Sequence, residues 1–98
     1  MPNFQHLAGG RLKYLVRRRY ERAGFVCLQT DGRSWDIVAL GDYPDVRLIQ
    51  VKRVADKATA RRLIRQFKAR PPKPDGYHRI MEVYVSDTRE RLSSDRGL

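Results

Sequence analysis

The chain has 98 residues, with 21 Lys and Arg against 11 Asp and Glu and a formal charge of +10; it is too short for two independent cores and too cationic to be indifferent to polyanions. A charge excess of this size attracts phosphate backbones through counterion release, so nucleic acid is the first partner indicated, ahead of a merely soluble basic protein. No apolar run approaches the ~18 residues of a membrane span and no charged-then-apolar export leader opens the chain. The single cysteine, Cys27, can form no intrachain bridge, so the protein is expected in the cytoplasm.

Residues 1–8 read as a flexible leader, 9–86 as a single domain and 87–98 as a polar, fraying tail. Between Gly10 and Ala23, the residues Leu12, Leu15, Val16, Tyr20 and Ala23 recur at spacings of three and four, which predicts a helix with one apolar stripe. Gly24 supplies its stop. Phe25 to Thr30 is β-branched and aromatic enough for a strand and closes on Asp31-Gly32, a turn pair. Trp35 to Leu40 predicts a second strand, apolar on both faces after Asp36. The Gly41-Asp42-Tyr43-Pro44-Asp45 segment reverses the chain into a third, Val46 to Arg53, so these two strands should be antiparallel neighbours.

A second amphipathic helix follows from Ala58 to Ala69, with Ala60, Leu63, Ile64 and Phe67 on one face and Arg61, Arg62, Arg65 and Lys68 elsewhere. Pro71-Pro72-Lys73-Pro74 ends it. Arg79 to Ser86 gives a last strand whose faces are both partly apolar, one of them free to meet a second subunit. The fold class is therefore α/β, an αβββαβ arrangement with a mixed four-stranded sheet flanked by helices.

Polar groups interrupt the two central strands. Asp36 lies at the start of one, and Gln50 and Lys52 lie two apart on the other, on one face and ~6.6–6.8 Å apart by the strand rise. Pairing across a reversal centred between Tyr43 and Pro44 would set Asp36 opposite Val51. A carboxylate, an amide and a lysine meeting in this way suit metal-assisted phosphodiester hydrolysis. Asp36, the Gln50 side-chain oxygen and the Val51 carbonyl would offer hard oxygens to Mg²⁺ or its substitute Mn²⁺. Lys52 would orient or help deprotonate the attacking water and offset charge on the phosphate.

The Ser34-Trp35-Asp36-Ile37-Val38-Ala39-Leu40 and Leu48-Ile49-Gln50-Val51-Lys52 segments, preceded by residues 9–25, resemble the PD-(D/E)XK nucleases, and within them the archaeal-type Holliday junction resolvases and their phage relatives. The resemblance spans residues 9–86. It implies a metal-dependent, structure-selective DNA endonuclease that cuts four-way or other branched DNA as a homodimer, with Ser34 contacting a phosphate near the scissile bond. One position departs from it. The family's first helix carries a glutamate eleven residues before the closing glycine, and here that position is Lys13. A cation there removes a ligand and repels Mg²⁺. The alternatives are a weakened or inactive basic DNA-binding module on the same fold, or a related nuclease for flaps and single-stranded ends.

Each of these residues also has an ordinary structural role. Asp36 can cap a turn, Lys52 can snorkel from a strand end, Gln50 can satisfy backbone groups and Ser34 can close a turn. Arg17-Arg18-Arg19 can be a solvated helix face. Arg53, Lys57, Arg61 and Arg62 follow directly on the candidate strand, and with Arg11, Arg17 and Arg18 they are the residues expected to touch phosphates.

Overall fold

A computed structural model describes residues 9–30, 34–74 and 76–96; the predicted leader and the last two residues lie outside them. The elements are α1 (Gly9–Arg22), β1 (Val26–Gln29), β2 (Ile37–Leu40), β3 (Val46–Val54), α2 (Lys57–Ala69), β4 (His78–Val85) and β5 (Arg91–Arg96). The strands form one sheet in the order β1-β2-β3-β4-β5. Each sequential pair is antiparallel except β3 and β4, which run parallel and are joined through α2. Among the described residues, no helix is long and apolar enough to cross a membrane.

Local chemistry sets the helix ends. At the end of α1 the Gly24 N–H donates to Glu21 O (3.0 Å) and the Phe25 N–H to Tyr20 O (3.1 Å). With Gly24 at φ +103°, this pair of bonds closes the helix in a left-handed turn. The accompanying apolar contact is Phe25 edge-on to Tyr20, with centroids 5.7 Å apart. Asp56 caps α2 by accepting from the Thr59 N–H at 2.8 Å, and Pro71 prevents its continuation beyond Arg70.

The helices cover different halves of the sheet. Leu12, Val16 and Tyr20 of α1 pack on Ile37, Ala39, Ile49, Val51 and Ile80, whereas Ala60, Ile64 and Phe67 of α2 pack on Leu48, Met81, Val83 and Val85 together with Trp35. Contact with α1 is confined mainly to β1–β3, and contact with α2 to β3–β5. Two half-faces are left without a helix. One carries Val26 and Leu28, 65% and 56% exposed, beside Leu40.

Three expectations are corrected. The sheet has five strands, because Arg91–Arg96 pairs with β4 where a frayed tail was expected. An edge strand needs only one face apolar or small, and here Leu92 and the buried Ser94 point to the α2 side. That pairing makes β4 an interior strand, buried on both faces, so it presents no surface to a second subunit. Finally, the β2–β3 ladder pairs Ile37 with Ile49 and Leu40 with Val46, which centres the reversal on Tyr43. A five-residue loop closed by Gly41 N–H to Asp45 O (2.8 Å) accounts for the one-residue shift.

Candidate active site

The start of β2, the C-terminal half of β3, the first turns of α1 and the N-terminus of α2 all lie at one end of the sheet, a consequence of the antiparallel β2–β3 pair and the crossover that follows it. Asp36 stands there, one residue outside the ladder. Its main chain is fixed from both sides: its N–H donates to Ile49 O (2.8 Å) and its carbonyl accepts from Thr30 N–H (2.9 Å).

The ladder places Asp36 level with Gln50, one residue short of the predicted partner Val51. Regular alternation fails at this point. Trp35 packs on the α2 side and Ile37 on the α1 side, although residues two apart on a regular strand share a face. The chain is therefore kinked at Asp36, and the kink brings the carboxylate to α1. There Oδ1 meets Lys13 Nζ at 2.9 Å, with side-chain exposures of 14% for Asp36 and 33% for Lys13. Oδ2 accepts the Val51 N–H at 2.7 Å. The N–H and C=O of a strand residue leave by the same edge, so the Val51 carbonyl also leaves by the β2 edge of β3.

Strand β3 stays regular here, so Gln50 and Lys52 share the side of Leu48 and Val54, away from the core of α1. Neither side chain makes a hydrogen bond or ion pair among the described residues, and Lys52 is exposed. The expected convergence of the Asp36, Gln50 and Lys52 side chains is therefore corrected: all stand at one end of one hairpin, but Asp36 turns toward α1 while Gln50 and Lys52 project from the other face. The contacts formed, however, are those of Asp36 with Lys13 and with the Val51 main chain. Ser34 is exposed and takes part in neither.

These donors do not fit a divalent ion as they stand. Mg²⁺ selects hard oxygens in an octahedron, yet both Asp36 oxygens are engaged and one carries an ammonium group. Among the described residues, no three acidic, His or Cys side chains gather anywhere. What the arrangement offers instead is a carboxylate neutralised by one lysine ammonium.

Arg11 and Arg17 stack over the exposed Tyr14 ring at 5.5 and 5.3 Å, which holds both on one flank of α1. Arg18 is paired with Glu21 at 2.9 Å. Arg53, Arg61 and Arg62 are exposed, and Lys57 is tied to Glu90 at 3.0 Å. Cys27 is half-buried against the α1 core, and burial raises its thiol pKa, the opposite of what a reactive nucleophile needs.

One polar centre escaped the sequence reading. Glu82 on β4 is only 3% exposed and accepts from Tyr20 Oη (2.7 Å), Tyr84 Oη (2.8 Å) and the Arg19 guanidinium. Burial first, and then the Glu82 charge, push both phenols well above their ordinary range. This network fastens the C-terminal half of α1 to β4 and so fixes where Lys13, two turns earlier, meets the sheet. The available signal was Glu82 and Tyr84 alternating along a strand that needed a partner for Arg19.

No protein-family model matches this sequence, and no curated protein matches it. Among solved structures, the chain is similar to Hjc, a Holliday junction resolvase from the archaeal hyperthermophile Archaeoglobus fulgidus. The identity is 17% over 90% of this chain and 84% of that one, with a TM-score of 0.53. At that identity the likeness shows a shared fold, restriction-endonuclease-like, with the sheet between its two helices.

Proposed function

We propose that this chain acts on branched DNA as a nuclease-fold protein of the Holliday-junction-resolvase kind, gripping the phosphodiester backbone at the Asp36 end of the sheet. The observation that carries the reading is the position of Asp36: a nearly buried carboxylate bonded to the Val51 main chain, level with Gln50 and paired with Lys13. A charge of +10 supplies attraction without base preference, and nothing in α1 or α2 has the form of a base-reading element. Selectivity then comes from the shape of the branch. A four-way junction has near-twofold symmetry, which a homodimer matches, and the helix-free half-face with Val26, Leu28 and Leu40 offers apolar surface for such pairing.

Endonucleolytic cleavage is the component that Lys13 restrains. The Lys13–Asp36 ion pair favours a second form of the same reading, in which the protein holds junctions with slow or no cutting. Binding and cleavage are tested together by titrating labelled four-way junction, flap and linear duplex in Mg²⁺ and resolving the products on a denaturing gel. The expected outcome is junction binding tighter than duplex binding, with any nicking lost in Asp36→Asn and Lys52→Ala. Equal affinity for all three DNAs would remove the branched substrate, and undiminished nicking by both variants would remove the site. Preference for the flap would transfer the assignment to the flap nucleases.

A further inference from the structure

We infer that the Lys13 ammonium stands in for a divalent cation at Asp36, so that this end of the protein receives a phosphodiester without metal. The inference rests on the proposal that this site meets DNA.

A surface ion pair would ordinarily mean little. This one differs in placement, because Asp36 is nearly buried, sits at the kink just before β2 and is aimed by a main-chain bond from Val51 at 2.7 Å. While Oδ2 accepts the Val51 N–H, Oδ1 is the oxygen turned to α1, and Lys13 Nζ meets it at 2.9 Å. A lysine ammonium has three N–H donors. One is spent on Asp36, while a third of the side chain stays open to solvent, leaving donors for the non-bridging oxygens of a phosphodiester.

The aim of Lys13 is fixed from behind. Leu12 and Val16 bury the sheet-facing side of α1, and Arg19 and Tyr20 lock its later turns to Glu82. Nor is a coordination shell at hand: among the described residues no three acidic, His or Cys side chains gather to hold a metal. One fixed cation bridging protein carboxylate and nucleic acid phosphate is the arrangement a bound metal would otherwise provide, with the difference that an ammonium group activates no water.

The test uses Mn²⁺ alone as the metal probe and a labelled four-way junction as the phosphate probe, on the full chain and on Lys13→Glu, Lys13→Met and Asp36→Asn. Electron paramagnetic resonance of free Mn²⁺ should be unchanged by the wild type at millimolar metal and attenuated by Lys13→Glu. Junction affinity of the wild type, at matched ionic strength, should be the same in EDTA as in Mn²⁺ within about twofold. For Lys13→Met, which keeps the apolar stem and folds without the charge, affinity should fall and the slope of log affinity against log salt should shrink by about one.

Stoichiometric Mn²⁺ binding by the wild type that disappears in Asp36→Asn would overturn the inference. So would unchanged junction affinity and salt slope in Lys13→Met. If no variant binds any DNA, the proposed function fails on that arm, while the Mn²⁺ spectra still decide whether Lys13 keeps metal from Asp36.

Discussion

Replacing Glu82 with leucine should weaken the fold far more than an average surface change, and the structure indicates by how much. The carboxylate is 3% exposed and accepts two phenol hydroxyls, at 2.7 Å from Tyr20 and 2.8 Å from Tyr84, besides the Arg19 guanidinium. Leucine keeps most of the volume but leaves both phenols without an acceptor, at about 1–3 kcal/mol for each buried donor. Arg19 is 38% exposed and regains water, so its share is small after screening. The carboxylate's own desolvation is relieved, which offsets part of the loss. The net expectation is about 2–4 kcal/mol, or roughly 8–20 °C in Tm for a domain of this size. Urea titration followed by the fluorescence of Trp35, the single tryptophan, with thermal melts by circular dichroism, measures it. A Glu82→Leu protein within about 0.5 kcal/mol of wild type would refute the claim that this network fixes α1 on the sheet.

Two further outcomes follow from the same contacts. Because burial and Glu82 raise the pKa of Tyr20 and of Tyr84, the folded state retains these protons after an unfolded chain would release them near pH 10. Their contribution to stability is complete below that pH and declines as pH rises toward the folded values. Ultraviolet titration should show two of the five tyrosines ionising late or only on unfolding, and simultaneous ionisation of all five would contradict it. Trp35→Phe removes the Nε1 bond to Lys73 O (2.9 Å) that ties the proline segment to the sheet. It should lower stability by about 1–2 kcal/mol, read as a lower urea midpoint in circular dichroism; an unshifted midpoint would show that the tie contributes nothing.

Much of the fold was legible because its signals are local. The stripe Leu12, Val16, Tyr20, the glycine stop at Gly24 and the apolar face Ala60, Ile64, Phe67 each depend on residues within a few turns, and each formed where the pattern placed it. Strand β5 lacked such a signal. Its six residues include one apolar side chain, Leu92, and its order comes from main-chain bonds to a strand already in place. The sequence singled out Asp36, Gln50, Val51 and Lys52 through their spacing on two strands. The kink that turns Asp36 toward α1 was invisible, because it depends on opposite burial of Trp35 and Ile37. Lys13 was noticed as a departure from a pattern, but its partner became apparent only with the helix in place.

Strand cleavage of a four-way junction in Mg²⁺ under single turnover, comparing Lys13→Glu with the unaltered chain, decides whether the Lys13 ammonium is what restrains the Asp36 end. With a carboxylate in place of the ammonium beside Asp36, cleavage should accelerate by at least about tenfold, which corresponds to roughly 1.4 kcal/mol in the barrier, while the unaltered chain binds the same junction and cuts it slowly or not at all. Rapid cleavage by the unaltered chain would contradict the account, and so would a Lys13→Glu protein that holds the junction and remains inert.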